Sequence, residues 1–256
     1  MFKELFSVIL VETISGCNRN CWFCKFGQRR YLENRSNPEK LDFDIVKKIV
    51  YNLKKLHFKG RINWHRINEP LLDDRICEII QFTRSELSDV NITLITNGEL
   101  LDQRKYNDLV KSGLDHLTIS VYSNEVFNKI SSLDLIDFRI KDYRPKNIHN
   151  VKLLNQGGSI KQLGVKKDYQ STNCLRPFTA INICSNGDVV LCCSDIFGDV
   201  KVGNILNENL EDIWFGSKMK EVRRELQISR ERLQLCSKCN HDGSGHGVNG
   251  EKIVEI

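Results

Sequence analysis

Cys17-Asn18-Arg19-Asn20-Cys21-Trp22-Phe23-Cys24 places three thiols within eight residues. The spacing is C-x3-C-x2-C, with an aromatic residue directly before the last cysteine. Three thiolates this close in a loop can grip three corners of a cubane iron–sulfur cluster. A fully protein-ligated 4Fe–4S cluster takes four cysteines. A three-cysteine grip therefore leaves one iron open to a further ligand. The competing readings are zinc and one half of a disulfide set. Zinc sites pair a C-x2-4-C with a second pair elsewhere, which a compact triplet fits poorly.

Strand-like and helix-like segments alternate around this loop. Residues 6–13 (FSVILVET) are apolar at most positions and read as a buried strand leading into the cysteines. Ile45, Val46, Ile49, Val50, Leu53 and Leu56 recur at helical spacing. Asp42 or Asp44 is expected to cap that helix and Gly60 to end it. Strands are expected at 61–65, 91–96, 117–122 and 135–140, with helices around 76–87, 102–113 and 124–131. Strict alternation implies right-handed βαβ units and a parallel sheet. Beyond residue 141 the periodicity weakens, and Asn155-Gln156-Gly157-Gly158 is a loop signal. Asn186-Gly187 between two strand-like runs, 181–184 and 188–192, predicts a hairpin. Residues 210–226 read as one helix.

The bulk properties fit a cytoplasmic enzyme. Of 256 residues, 40% are hydrophobic and 28% charged, ordinary for a globular chain. No apolar run approaches the roughly 18 residues of a membrane span. The start, residues 1–7 (MFKELFS), lacks the features of a signal peptide. Ten cysteines in such a chain read as thiols or metal ligands rather than disulfides. A net charge of +5 permits an anionic partner without demanding nucleic acid.

Cys174, Cys192, Cys236 and Cys239 form a second candidate site. Four separated thiolates can close a tetrahedral zinc site or ligate a second 4Fe–4S cluster, and spacing alone does not choose. Three cysteines remain. Cys77, among isoleucines, reads as a core residue, and Cys184 as strand packing. Cys193 directly follows a proposed ligand and reads as an inert thiol, an alternative ligand or a catalytic group.

The C-x3-C-x2-C loop with Phe23 before Cys24 resembles the radical S-adenosylmethionine (radical SAM) superfamily. The resemblance implies a partial (β/α)6 barrel over residues 1–168. It also implies a SAM-binding 4Fe–4S cluster on Cys17, Cys21 and Cys24 and reductive cleavage of SAM to a 5'-deoxyadenosyl radical. A flavodoxin- or ferredoxin-type electron donor would serve as partner. Asn68-Glu69-Pro70 resembles the Gly-Glu-Pro motif whose glutamate binds the SAM amino group, with Asn68 in place of glycine. Thr96, Asn97 and Ser120 match positions that touch the ribose or carboxylate, and Phe23 would lie against adenine. The segments around Cys174, Gly187-x4-Cys192, Gly203-Asn204-Ile205, Ile213-Trp214 and Cys236-x2-Cys239 resemble the SPASM/twitch extension. That implies an auxiliary 4Fe–4S cluster on Cys174, Cys192, Cys236 and Cys239, within a small C-terminal domain over residues 169–256.

Within the superfamily the chain resembles the short dehydrogenases that oxidise an aminocyclitol, 2-deoxy-scyllo-inosamine, in aminoglycoside biosynthesis. Residues 60–72 (GRINWHRINEPLL), the Thr96-Asn97-Gly98 turn and the auxiliary cysteines carry the likeness. Those enzymes have an arginine in an Asn-Arg-Gly-Gly loop as the base, where this chain has Gln156. A neutral amide cannot take that role. Loss of the arginine with retention of Cys193 favours epimerisation of a small polar natural product, with the Cys193 thiol as hydrogen donor. Dehydrogenation with Arg66, His65 or Tyr122 as base is the alternative. Modification of a ribosomal peptide and a zinc-stabilised RNA-binding module are further readings. The aromatic and basic motifs that stack nucleic-acid bases are absent.

Overall fold

The computed structural model describes residues 4–26, 38–164, 173–246 and 252–253. The expected boundary between 168 and 169 lies outside them. The first half alternates as the sequence implies: β1 (Val8–Val11), α1 (Phe43–Lys55), β2 (Arg61–Asn63), α2 (Ile76–Glu86), β3 (Asn91–Thr96), α3 (Gln103–Lys111), β4 (His116–Val121), α4 (Asn124–Ser131) and β5 (Phe138–Asp142). After a long connection and a short helix, α5 (Arg176–Thr179), come β6 (Ala180–Ile183), β7 (Asp188–Val190) and β8 (Lys201–Asn204).

These eight strands make one sheet in the order β5-β4-β3-β2-β1-β6-β7-β8. Strands β1 to β5 are parallel, and β6 joins β1 in parallel on the other side, with Ile9 opposite both Ile62 and Ile181. This is the expected parallel α/β architecture with a partial barrel, and its sixth strand lies beyond the long connection. A strand flanked on both edges and covered on its faces must be apolar throughout. Residues Val8–Val11 are all buried for that reason. The sheet curls so that Leu10, Asn63, Thr93, Thr118 and Lys141, one from each of β1 to β5, line a shared cavity.

Helix α1 shows how the outer layer is fixed. Asp42 caps it by accepting from Asp44 N, and Lys54 and Lys55 sit in the last turn where the dipole favours cations. Val46, Ile49, Val50 and Leu53 are fully buried; such burial contributes about 1.5–3 kcal/mol per side chain. Gly60 does not end this helix, which stops at Lys55. It directly precedes β2 instead, where a Cβ would lie 2.2 Å from the Ser7 carbonyl oxygen. β5 begins later than expected because Asp137 takes a left-handed turn (φ 51°). The expected helix over 210–226 is two helices, α6 (Leu210–Trp214) and α7 (Ser217–Ile228). Gly216 separates them, and a Cβ there would meet the Asp212 carbonyl at 2.6 Å. The predicted hairpin is present as β6–β7, with Gly187 at φ 81° in the turn.

Candidate active site

In parallel barrels the loops after the strands converge at one end, and chemistry gathers there. Here they meet around a cavity of about 540 Å³, within the roughly 300–1,000 Å³ of ordinary small-molecule pockets. The loop after β1 brings Cys17, Cys21, Phe23 and Cys24. The loop after β2 brings Asn68 and Glu69; β3 and β4 bring Thr96, Asn97 and Ser120. Every residue named for the SAM site therefore lines one cavity.

Polar contacts hold the cysteine loop in place. Arg19 pairs with Glu99, Asn18 Nδ2 donates to Glu99 Oε2 at 2.7 Å, and Asn97 Nδ2 donates to Asn18 Oδ1 at 2.7 Å. Burial pushes the Cys17 thiol up to about 12. A sulfur so placed ionises only when a cation such as a metal lies beside it. Phe23 stacks on Tyr143 (5.8 Å, 19°) and Tyr122 (6.1 Å, 25°), giving the cavity an aromatic wall.

Glu69 is a buried acid of the site with both oxygens hydrogen-bonded. Its Oε1 accepts from Thr96 Oγ1 at 2.6 Å and Leu71 N at 3.1 Å, and its Oε2 from Asn97 N at 2.7 Å. Burial nevertheless dominates and pushes it up to about 7, against those bonds. Asn68 Oδ1 accepts from Arg66 N at 3.2 Å, while its buried Nδ2 has no hydrogen-bond partner among the described residues.

Cys174, Cys192, Cys236 and Cys239 line a second, smaller cavity, flanked by Arg176 and Arg230. Burial raises Cys174 and Cys192 and pushes Cys236 up to about 12. Among the described residues, no three His, Cys, Asp or Glu side chains form a group that could hold a metal ion. A mononuclear zinc site needs its ligands about 2.0–2.3 Å from one point. Four cysteine sulfurs are also the donor set of a fully protein-ligated 4Fe–4S cluster.

The spare cysteines separate. Cys77 packs against the main core, as expected. Cys184 lines a side cavity with Glu12 and Arg66, and burial pushes it up to about 12. Cys193 turns away from Cys192 and lines an inner cavity with Leu10, His65 and Arg66. Arg176 Nη1 donates to Cys193 Sγ at 2.8 Å.

Two features had no clear signal in the sequence. Arg66 and Glu12 form a buried ion pair, Nε to Oε2 at 3.3 Å. The Asn155–Gly158 turn also joins the two cysteine regions. Gln156 Oε1 accepts from Lys25 N at 2.9 Å and its Nε2 donates to Cys24 Sγ at 3.5 Å. On the other side Asn155 Nδ2 donates to the Lys238 carbonyl at 2.7 Å and Asn155 N to Asn240 Oδ1 at 2.8 Å. Gly158 is required there: it adopts φ 87°, and a Cβ would lie 2.4 Å from Lys238 Cβ. No helix among the described residues is long and apolar enough to cross a membrane.

Comparison with known proteins agrees with this geometry. Residues 174–240 match SPASM, the iron–sulfur cluster-binding domain. The chain is similar to the S-adenosyl-L-methionine-dependent 2-deoxy-scyllo-inosamine dehydrogenase of Niallia circulans, 25% identical over 245 residues, covering 93% of this chain and 94% of that one. The crystal structure of BtrN in complex with AdoMet and 2-DOIA superposes with a TM-score of 0.80 at 24% identity, covering 93% and 94% of the two chains. Streptococcus suis SuiB bound to S-adenosylmethionine shares the fold more distantly, with a TM-score of 0.55 at 16% identity over 86% of this chain and 68% of that one. The family matches imply S-adenosylmethionine and two 4Fe–4S clusters as cofactors. Residues 11–154, more than half of the chain, match the radical SAM superfamily, and the chain belongs to it.

Proposed function

We propose that the protein is a radical SAM dehydrogenase that oxidises one secondary alcohol of a small polar cyclitol or sugar to a ketone. The observation that carries this reading is the continuity of two cavities. The cysteine-loop cavity and the inner cavity share His65, Arg66, Ile95 and Lys141, and the inner one reaches Cys193 beside Cys192. A substrate held there lies between the two cysteine sets. When bound, S-adenosylmethionine with its cluster supplies hydrogen-atom abstraction, and the auxiliary cluster accepts the remaining electron. The similarity to a dehydrogenase along 93% of the chain supports the same choice.

The chain's own residues have these roles. Cys17, Cys21 and Cys24 hold the first cluster, and Cys174, Cys192, Cys236 and Cys239 the second. Glu69 accepts the SAM amino group, Asn97 and Ser120 orient its polar end, and Phe23 and Tyr143 form the aromatic wall. His65 takes the hydroxyl proton. Burial pushes it down to about 3, so its ring is neutral and can accept, though as a weak base; Nδ1 is sealed from solvent and has no partner among the described residues. Arg66 is committed to Glu12 and the Asp195 carbonyl, and burial raises Tyr122. His65→Leu should lower kcat about 100-fold, the low end for losing a proton acceptor, with SAM binding by calorimetry unchanged.

Epimerisation loses its support. The full-length relative is a dehydrogenase, and Cys193 Sγ is engaged as acceptor of a guanidinium N–H. Reaction in deuterated water separates the two. A ketone two hydrogens lighter, with one 5'-deoxyadenosine per turnover, is expected; solvent deuterium on the product carbon overturns the dehydrogenase reading.

Glu69 makes SAM binding pH-dependent. Its folded value of about 7 lies above its ordinary 4.5, so the folded protein holds the extra proton between the two. Ionisation in that site costs stability as pH rises through this window, and the SAM-free protein should lose stability from about 4.5 to 7. A cationic amine prefers the carboxylate. SAM affinity should therefore rise up to about pH 7 and level off above it, as read by calorimetry. In Glu69→Gln the rise should vanish and binding weaken about tenfold or more.

A further inference from the structure

We infer that the inner cavity binds an oxyanion of the substrate, a phosphate or carboxylate group, at Lys141 and Arg139 on β5. This rests on the reading above that substrate occupies the inner cavity. It departs from the amine carried by an aminocyclitol.

The lining is cationic and rich in donors. Arg139, Lys141, His116 and Thr118 face it from adjacent strands, with Thr118 opposite Arg139 in the β4–β5 register. The one acid in the lining, Asp115, is already engaged: it pairs with Arg84 and accepts from Ile92 N at 2.6 Å. Glu12 lies outside this lining and pairs with Arg66.

Lys141 is the decisive group. It is half-buried, and its side chain has no hydrogen bond or ion pair among the described residues. Burial, then Arg139 and Arg61, push its ammonium below the ordinary lysine value. A partly desolvated cation beside like charges is unfavourable unless an anion joins it. Ammonium, guanidinium and hydroxyl groups converging on one space are the donor set that oxyanions recognise. Lys141 also lines the cysteine-loop cavity, so an anion held there leaves the substrate's uncharged end free to reach it.

The test uses the holoenzyme with both clusters and SAM, titrated calorimetrically with inorganic phosphate and separately with acetate at fixed ionic strength. Saturable binding of at least one is expected. Lys141→Gln should weaken it about tenfold or more, Lys141→Arg should retain it, and the exposed Arg139→Gln should weaken it as well. Tighter phosphate identifies a phosphate ester as the substrate group, and tighter acetate a carboxylate. Failure of both anions to bind, or wild-type binding in both Lys141→Gln and Arg139→Gln, overturns the inference. The binding titration needs no turnover, and a separate assay for ketone distinguishes the two readings. Anion binding without ketone formation would reject the dehydrogenase reading alone. Ketone formation from an uncharged polyol, with neither anion bound, would reject this inference alone.

Discussion

Cys21→Ala, reconstituted anaerobically, should form no 5'-deoxyadenosine and should hold about four irons where the wild-type protein holds about eight. The expectation follows from how the loop is built. Cys17, Cys21 and Cys24 line one cavity wall, and the chain between them is pinned by Asn18 and Arg19 to Glu99 and Asn97. A pinned loop cannot bring a replacement sulfur forward. Cys77 lies in α2 against the core, and the four cysteines of the second cavity are held by other elements. Two sulfurs do not retain a cubane that needs three. The second cluster should survive because its ligands lie in 174–239 and reach the first site through the Gln156 contact to Cys24. Cys21 is not part of the core, so thermal unfolding of the cluster-free protein should shift little. Iron and sulfide analysis with chromatographic detection of 5'-deoxyadenosine checks the result. Eight irons in the variant would mean that Cys21 is not a ligand.

Much of the architecture was legible because the signals are periodic. β3 and α4 fall at Asn91–Thr96 and Asn124–Ser131, as the apolar patterns indicated. The seven cysteines expected to be ligands divide between two cavities as their spacing implied. What stayed hidden depends on the third dimension. Gly60 looked like a helix stop, but its small size serves a close approach to Ser7, more than 50 residues earlier in the chain. Which way Cys193 faces could not be read, because adjacent residues at a strand end point to opposite sides. Its neighbour Cys192 joins the sulfur cavity while Cys193 enters the barrel. The Asn155–Gly158 turn was visible as a loop, but its bonds to Lys25 and Lys238 cross sequence separations that no local pattern encodes. Lys141 carries no sequence signal for the same reason: a lone lysine in a strand acquires meaning only when the facing strands offer it no acid.

The buried pair between Arg66 and Glu12 should control whether the two halves of the protein hold together. Both side chains are nearly sealed from solvent, at 1% and 4% exposure. Burial opposes the Arg66 charge, but Glu12 and other acidic neighbours outweigh it and hold the guanidinium above its ordinary value. The same guanidinium donates to the Asp195 carbonyl at 3.1 Å, and Glu12 Oε1 accepts from Ser185 Oγ at 3.3 Å. One network thus ties the chain after β1 and the chain after β2 to the segments on either side of β7. Arg66→Met removes the cation and leaves Glu12 charged in the interior, which should cost about 3–5 kcal/mol. Folded domains are stable by only about 5–15 kcal/mol, so a large part of the margin would go. Arg66→Met combined with Glu12→Leu removes both charges, and a buried pair replaced by apolar groups of similar volume is often neutral. The double variant should therefore recover most of the loss in urea unfolding of the cluster-free protein. A single variant within about 1 kcal/mol of wild type would place the pair in a wetter setting than its burial indicates, because exposed pairs contribute about that much.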